Sequence, residues 1–352
     1  MFFYKISQEV SHEDEKTIAL AGLVALLAGS AFAGVTRSQK AAIAFKGFGS
    51  LSTTMTETLA GSRKLTDSDA SFEGKGLLGG LAGKAMMPSG HTGEFIDLAA
   101  MTTAQIDHKR KTYTVTPIEK WAETRKEMES AGKPDETAEE QAKSPIRIIK
   151  TDFRVTDTGE TRTINGFDCR NYTALWTVDW ENTETGEKGT DRLETAAWTT
   201  PLTGALQAVQ AEETAFAEAY MKAIGIDMRD FQKDILGTQW ISLLAAFDPV
   251  NGQAARMEVD PAKLAREMGK IQGYPIVIDG KYFATPKIKK QQDEPSTGGG
   301  LVGKALGGLL KKKSAPEEDK APSLSFYTEV TLLKAVDVDP ASLQVPAGYK
   351  QK

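Results

Sequence analysis

The sequence predicts an α+β fold, a curved antiparallel β-sheet whose apolar face is covered by helices and whose connections carry flexible Gly-rich insertions. Three observations support this. Tyr172, Ala174, Trp176, Val178 and Trp180 alternate with Thr173, Leu175, Thr177 and Asp179, and Leu324, Phe326, Thr328, Val330 and Leu332 alternate in the same way. Strict period-2 alternation gives each strand one largely apolar and one mainly polar face, as in an antiparallel sheet covered on one side. Beyond Pro201, Leu202, Leu206, Val209, Phe216, Tyr220 and Ile224 recur near helical spacing, which supplies the cover.

The first element is an export segment. Thr17 to Gly29 is apolar and uncharged, Lys16 precedes it, and Ala31-Phe32-Ala33 fits a small-x-small cleavage pattern. The run is shorter than the roughly twenty residues that span a bilayer. Residues 1–33 therefore read as a signal peptide cleaved near Ala33, leaving Gly34 as the mature N-terminus in a periplasmic or otherwise secreted bacterial protein. His12-Glu13-Asp14-Glu15 makes this leader unusually acidic, as it would be if the true start lay downstream of Met1. A core helix is the competing reading, and an uncleaved anchor is a further one, because Thr17 to Val35 approaches spanning length.

Residues 34–352 read as a single β-rich domain. Further strands are expected at Val35–Phe48, Gly93–Gln105, Lys111–Thr116, Ile146–Thr156, Lys188–Thr199 and Tyr274–Ala284. Asp157-Thr158-Gly159, Asn165-Gly166, Thr185-Gly186 and Asp279-Gly280 are expected to be turns between them. Helices are expected after Pro117 (Trp121–Ser130) and across the region 201–271, where Pro201, Asp227–Leu236 and Pro261–Ile271 mark segments and Asp260 stands as an N-cap. The stretches 71–90, 132–144 and 287–322 cannot bury enough apolar surface to offset the entropy of ordering, so they read as flexible insertions.

Composition excludes several functions. A net charge of −5 argues against a nucleic-acid partner, which selects a basic surface. One cysteine, Cys169, permits no internal disulfide, and with three histidines it falls short of a Cys/His zinc site, so no metal or cofactor is expected. Cys169 reads as a buried small apolar residue. Asp107-His108-Lys109 reads as a solvated turn. Gly74-Lys75-Gly76-Leu77-Leu78-Gly79 matches a dinucleotide string but follows the polar Asp67–Glu73 instead of a buried strand. Gly298–Lys304 resembles a phosphate loop, but Ala305 replaces the hydroxyl that would hold magnesium. No nucleophile elbow or zinc-helix motif occurs, so no enzyme is expected. In the tract Gly300–Lys313, Val302, Leu306, Leu309 and Leu310 would share a helical face beside Lys311–Lys313, a peripheral membrane contact opposed by three helix-weakening glycines.

Gly159–Tyr172, the following alternating strand, Ala197–Pro201, Gln272–Val277, Phe326–Val330 and the final Val345-Pro346-Ala347-Gly348-Tyr349 occur in an order that resembles the bacterial envelope family catalogued as domain of unknown function 4412. That family is similar to the periplasmic lipoprotein-carrier fold, so the resemblance implies an incomplete antiparallel barrel wrapped over helices with an apolar cavity for a lipid or lipoprotein acyl chain. It brings no catalytic residues. The insertions and the long 201–271 region depart from the family pattern and leave ligand specificity open.

The expected function is that of an exported carrier or sensor of an apolar ligand, and the alternative is a non-catalytic interaction or structural protein of the envelope. Trp176, Val178, Trp180, Phe216, Phe326 and Val330 are the candidate cavity residues, with filling of a closed core as their competing role.

Overall fold

The computed structural model describes residues 33–76, 80, 89–120, 146–225, 261–285 and 321–352. In chain order these form β1 (Ala33–Phe45), β2 (Gly49–Ala60), β3 (Arg63–Gly74), β4 (Gly90–Asp97), β5 (Thr102–Asp107), β6 (Thr112–Pro117), β7 (Ile146–Ile164), β8 (Phe167–Asn182), β9 (Lys188–Thr200), α1 (Gly204–Ala223), α2 (Pro261–Met268), β10 (Tyr274–Phe283), β11 (Leu324–Asp337) and β12 (Lys350–Gln351). All twelve strands join one sheet in the order β12-β6-β5-β4-β3-β2-β1-β11-β10-β9-β8-β7. Every pairing is antiparallel except β12 with β6. The end strands β7 and β12 do not pair with each other, so the sheet is open, not a closed barrel.

Strand register places both helices on one face. Directly opposed residues of a ladder share a face, and Val155, Ala174, Thr195, Gly280, Phe326, Ile43 and Leu51 oppose one another in turn from β7 to β2. α2 sets Leu264 and Met268, with Ile271 just beyond it, against Phe153, Val155, Tyr172, Ala174 and Leu193. α1 packs on β1, β2 and β11, with Leu206, Val209 and Phe216 buried among Val35, Leu59 and Leu333. Across β3 to β6 a second apolar surface forms on the opposite face, where Ala104 and Ile106 are buried. The C-terminal segment runs against it: Arg63 donates to the Pro340 carbonyl, Leu343 is buried, and Lys350 N–H donates to the Lys111 carbonyl.

Several sequence expectations shift for identifiable reasons. The single strand expected at Gly93–Gln105 is broken into β4 and β5, because the Asp97 carboxylate accepts from the Ala99 and Ala100 N–H groups and Met101 adopts φ 53°. Asp279-Gly280 is not a turn but the middle of β10. The glycine there makes room for the Phe326 ring, since a Cβ would lie 1.9 Å from Phe326 Cζ. Asp157-Thr158-Gly159 is an irregularity within β7, whereas Asn165-Gly166 does turn the β7–β8 hairpin, with both residues at positive φ. The helix expected from Pro201 begins at Gly204, after Thr203. β2 was not expected, nor was β3. β3 continues through Gly74 into the stretch expected as an insertion, because Phe72 is buried opposite Leu51 and against Phe48. The export run before Ala33, the helices at 121–130 and 227–236, Asp260, the insertion 132–144 and the tract Gly300–Lys313 lie outside the described residues, as do most of 71–90 and 287–322.

Candidate functional site

On β1, period-2 alternation sets Val35, Arg37, Gln39, Ala41 and Ile43 on the helix-bearing face, so a cation and an amide occupy an apolar stripe. On α1, Leu206, Val209, Glu213, Phe216 and Tyr220 follow helical spacing, which puts a carboxylate on the stripe that meets β1. The two charges meet: Arg37 donates to Glu213 Oε1 at 3.2 Å. Arg37 also donates to the Tyr274 hydroxyl at 3.3 Å and pairs with Glu57, and Lys64 lies 3.6 Å from Glu57. The Tyr274 hydroxyl in turn donates to Glu213 at 3.0 Å.

These groups have opposed electrostatics. Burial pushes the Glu213 carboxyl above its ordinary range despite Arg37 beside it. Burial would raise Glu57 as well, but Arg37 and Lys64 together hold it below the usual carboxylate range. Burial also pushes the Tyr274 phenol upward, so it stays a donor across the physiological range. Two cations and two carboxylates balance, which is the condition for charge to persist under a helix.

Beside this network a cavity of about 40 Å³ is lined by Arg37, Gln39, Tyr274, Ile276, Ile278 and Val330, among others. It is large enough for water but far smaller than the roughly 300 Å³ or more of a typical ligand pocket.

The six expected cavity residues do not converge. Val330 lines this cavity, and Phe216 belongs to the same core under α1. Phe326 and Trp176 pack instead in the second core beside α2. Val178 and Trp180 lie further along β8, where Trp180 is 1% exposed and its indole N–H donates to Asp191 at 3.1 Å. Arg37, Gln39, Tyr274, Ile276 and Ile278 were missed. The available signal was the polar residue placed in the apolar phase of β1.

No family model, curated protein or solved structure matches this chain.

Other reactive groups can be placed. Cys169 is buried and its thiol is pushed up by burial, which suits a packing role. Among the described residues, Asp67, His91 and His108 form a group able to hold a cation, with ligand atoms all within 4.8 Å of one another. His108 lies in the β5–β6 turn as expected, but its side chain is 11% exposed and so is not solvated.

Proposed function

We propose that this chain is an exported envelope protein, cleaved near Ala33, that binds one lipid or acyl chain on the helix-bearing face as a carrier or sensor. In this reading the open sheet curls as an incomplete barrel around α1 and α2, in keeping with the resemblance to domain of unknown function 4412. The observation that carries it is the sparse apolar seating of α1, which is held to the sheet in part by the polar tie of Glu213 to Arg37 and Tyr274. The helix has twenty residues but buries three, Leu206, Val209 and Phe216, over a face rich in apolar side chains. Its N-cap, Thr203, makes no side-chain capping bond, and its first turn has no acidic residue to favour the helix dipole. Because the cavity beside the Arg37 network is small, a chain-like ligand gains room on this face by displacing α1, exchanging one apolar cover for another. The Gly300–Lys313 tract would then offer a peripheral contact with an anionic leaflet.

The small cavity also supports a second reading, a non-catalytic interaction or structural protein with a filled core. Titration with a fluorescent acyl probe, cis-parinaric acid, separates the two. Saturable binding at one site, weakened by Thr328→Phe at a residue that lines the same cavity, supports the carrier. Absence of saturable binding supports the structural role.

A further inference from the structure

We propose that Asp67, His91 and His108 form a binding site for a single divalent transition-metal ion of the zinc type, on the sheet face opposite α1 and independent of any apolar ligand. Asp67 and Gly93 oppose each other in the β3–β4 ladder, His91 lies two residues before Gly93 on the same face, and His108 follows Ile106, which opposes Gly93 from β5. Thus β3, β4 and the turn that follows β5 bring three donors to one spot, and two of the chain's three histidines meet there.

The donor set suits the metal. Two imidazoles and one carboxylate are favoured by zinc and its first-row neighbours, and three protein ligands leave a fourth position for solvent. Bonds of about 2.0–2.1 Å in a tetrahedral shell separate ligand atoms by about 3.3 Å. His108 Nε2 lies 3.2 Å from Asp67 Oδ2, and His91 Nε2 lies 2.6 Å from Asp67 Oδ1. The two rings stack with centroids 4.1 Å apart and 17° between planes, which keeps both imidazoles beside Asp67.

The wiring of His108 is the second, independent observation. Its Nδ1 is 2.9 Å from the Tyr349 hydroxyl, an outer partner of the kind that orients a ligating imidazole. In the tautomer that carries its proton on Nδ1 and donates it to Tyr349, Nε2 presents a lone pair to the site. That nitrogen is shielded from solvent and has no hydrogen-bond partner, although a carboxylate oxygen stands 3.2 Å away. In that tautomer the Nε2 and carboxylate lone pairs face each other, an arrangement that a cation between them satisfies. Gly93 keeps the space open, because a Cβ there would lie 2.8 Å from His108 Nε2. Asp67 and His91 are about half exposed, at 48% and 50%, which leaves an entry route and an open coordination position. Through Tyr349 the ion would also brace the C-terminal segment against the sheet.

The test uses the untagged full chain, stripped with a chelator and titrated with zinc or cobalt(II) alone. One equivalent should bind saturably, raise the melting temperature, and give cobalt(II) visible absorption of a low-coordinate nitrogen–oxygen site. His91→Ala and Asp67→Asn, both at half-exposed side chains, should fold normally by circular dichroism yet lose saturable binding and the melting shift. Tyr349→Phe should weaken binding by about 10-fold. Unsaturable binding by the wild type, or saturable binding that both His91→Ala and Asp67→Asn leave unchanged, overturns the proposal.

Discussion

Arg37 of β1 and Glu213 of α1 meet at 3.2 Å, each projecting from the apolar stripe that its own element presents to the other. The pair ties helix to sheet at the centre of a core, where removing one partner strands the other charge. With Glu57, Tyr274 and Lys64 it makes the seating of α1 sensitive to protonation.

The pH dependence follows from the opposite displacements of the two carboxyls. Glu213 is raised above its ordinary 4.5, so between 4.5 and the raised value the folded state holds a proton that the unfolded chain has released, and above that value the carboxylate pairs with Arg37. Its contribution is full below 4.5 and is lost as pH rises through the raised value. Glu57 is lowered, so its contribution is present above 4.5 and is lost as pH falls through the depressed value. Melting temperature should therefore rise as pH falls through the raised Glu213 value towards 4.5, and Glu213→Gln should abolish that rise. Parallel pH profiles for the wild type and Glu213→Gln contradict this assignment.

Gly280 and Phe326 give a packing prediction. A Cβ at 280 would sit 1.9 Å from the ring, so Gly280→Ala should destabilise by about 1–3 kcal/mol through overpacking. Phe326→Leu in the Gly280→Ala background should recover part of the loss, a non-additivity expected of contacting residues. Additive losses in chemical denaturation show that the ring does not occupy this site.

Phe216 is 7% exposed and packs in the core under α1, where Lys64 Nζ lies 5.8 Å from its ring centroid. Phe216→Ala should cost about 3–5 kcal/mol. Phe216→Asp should cost more, since it also buries a carboxylate. An unchanged melting temperature for Phe216→Asp means that α1 packs elsewhere.

The strands were legible where large apolar residues dominate one face, as at Trp176–Trp180 and, with Thr328 between them, at Phe326 and Val330. They were illegible where the face is mixed. β2 carries Leu51, Thr53, Met55, Glu57 and Leu59 in one phase, and the matching β3 phase is Lys64, Thr66, Ser68, Ala70 and Phe72, so hydrophobic alternation alone is weak there. The Arg37–Glu213 pair was hidden for the same reason, because each charge looked like a fault in its stripe until the two stripes were brought together. The Asp67–His91–His108 group depends wholly on ladder register: His91 and His108 are seventeen positions apart, a spacing that no local motif marks.

The export reading predicts a mature N-terminus at Gly34. This residue is buried in β1, opposed by Ala60 and Val336. N-terminal sequencing of the envelope fraction should read Gly34-Val35-Thr36, and a full-length product confined to the cytosol contradicts export.

The most direct test of apolar-ligand binding is native mass spectrometry of the protein purified from its own envelope. The expected result is a species heavier than the mature chain by the mass of one lipid or acyl chain, released on unfolding and depleted in Thr328→Phe. A spectrum containing the bare mature chain alone, from protein that also fails to bind cis-parinaric acid, contradicts the carrier and leaves the face beneath α1 as packed core.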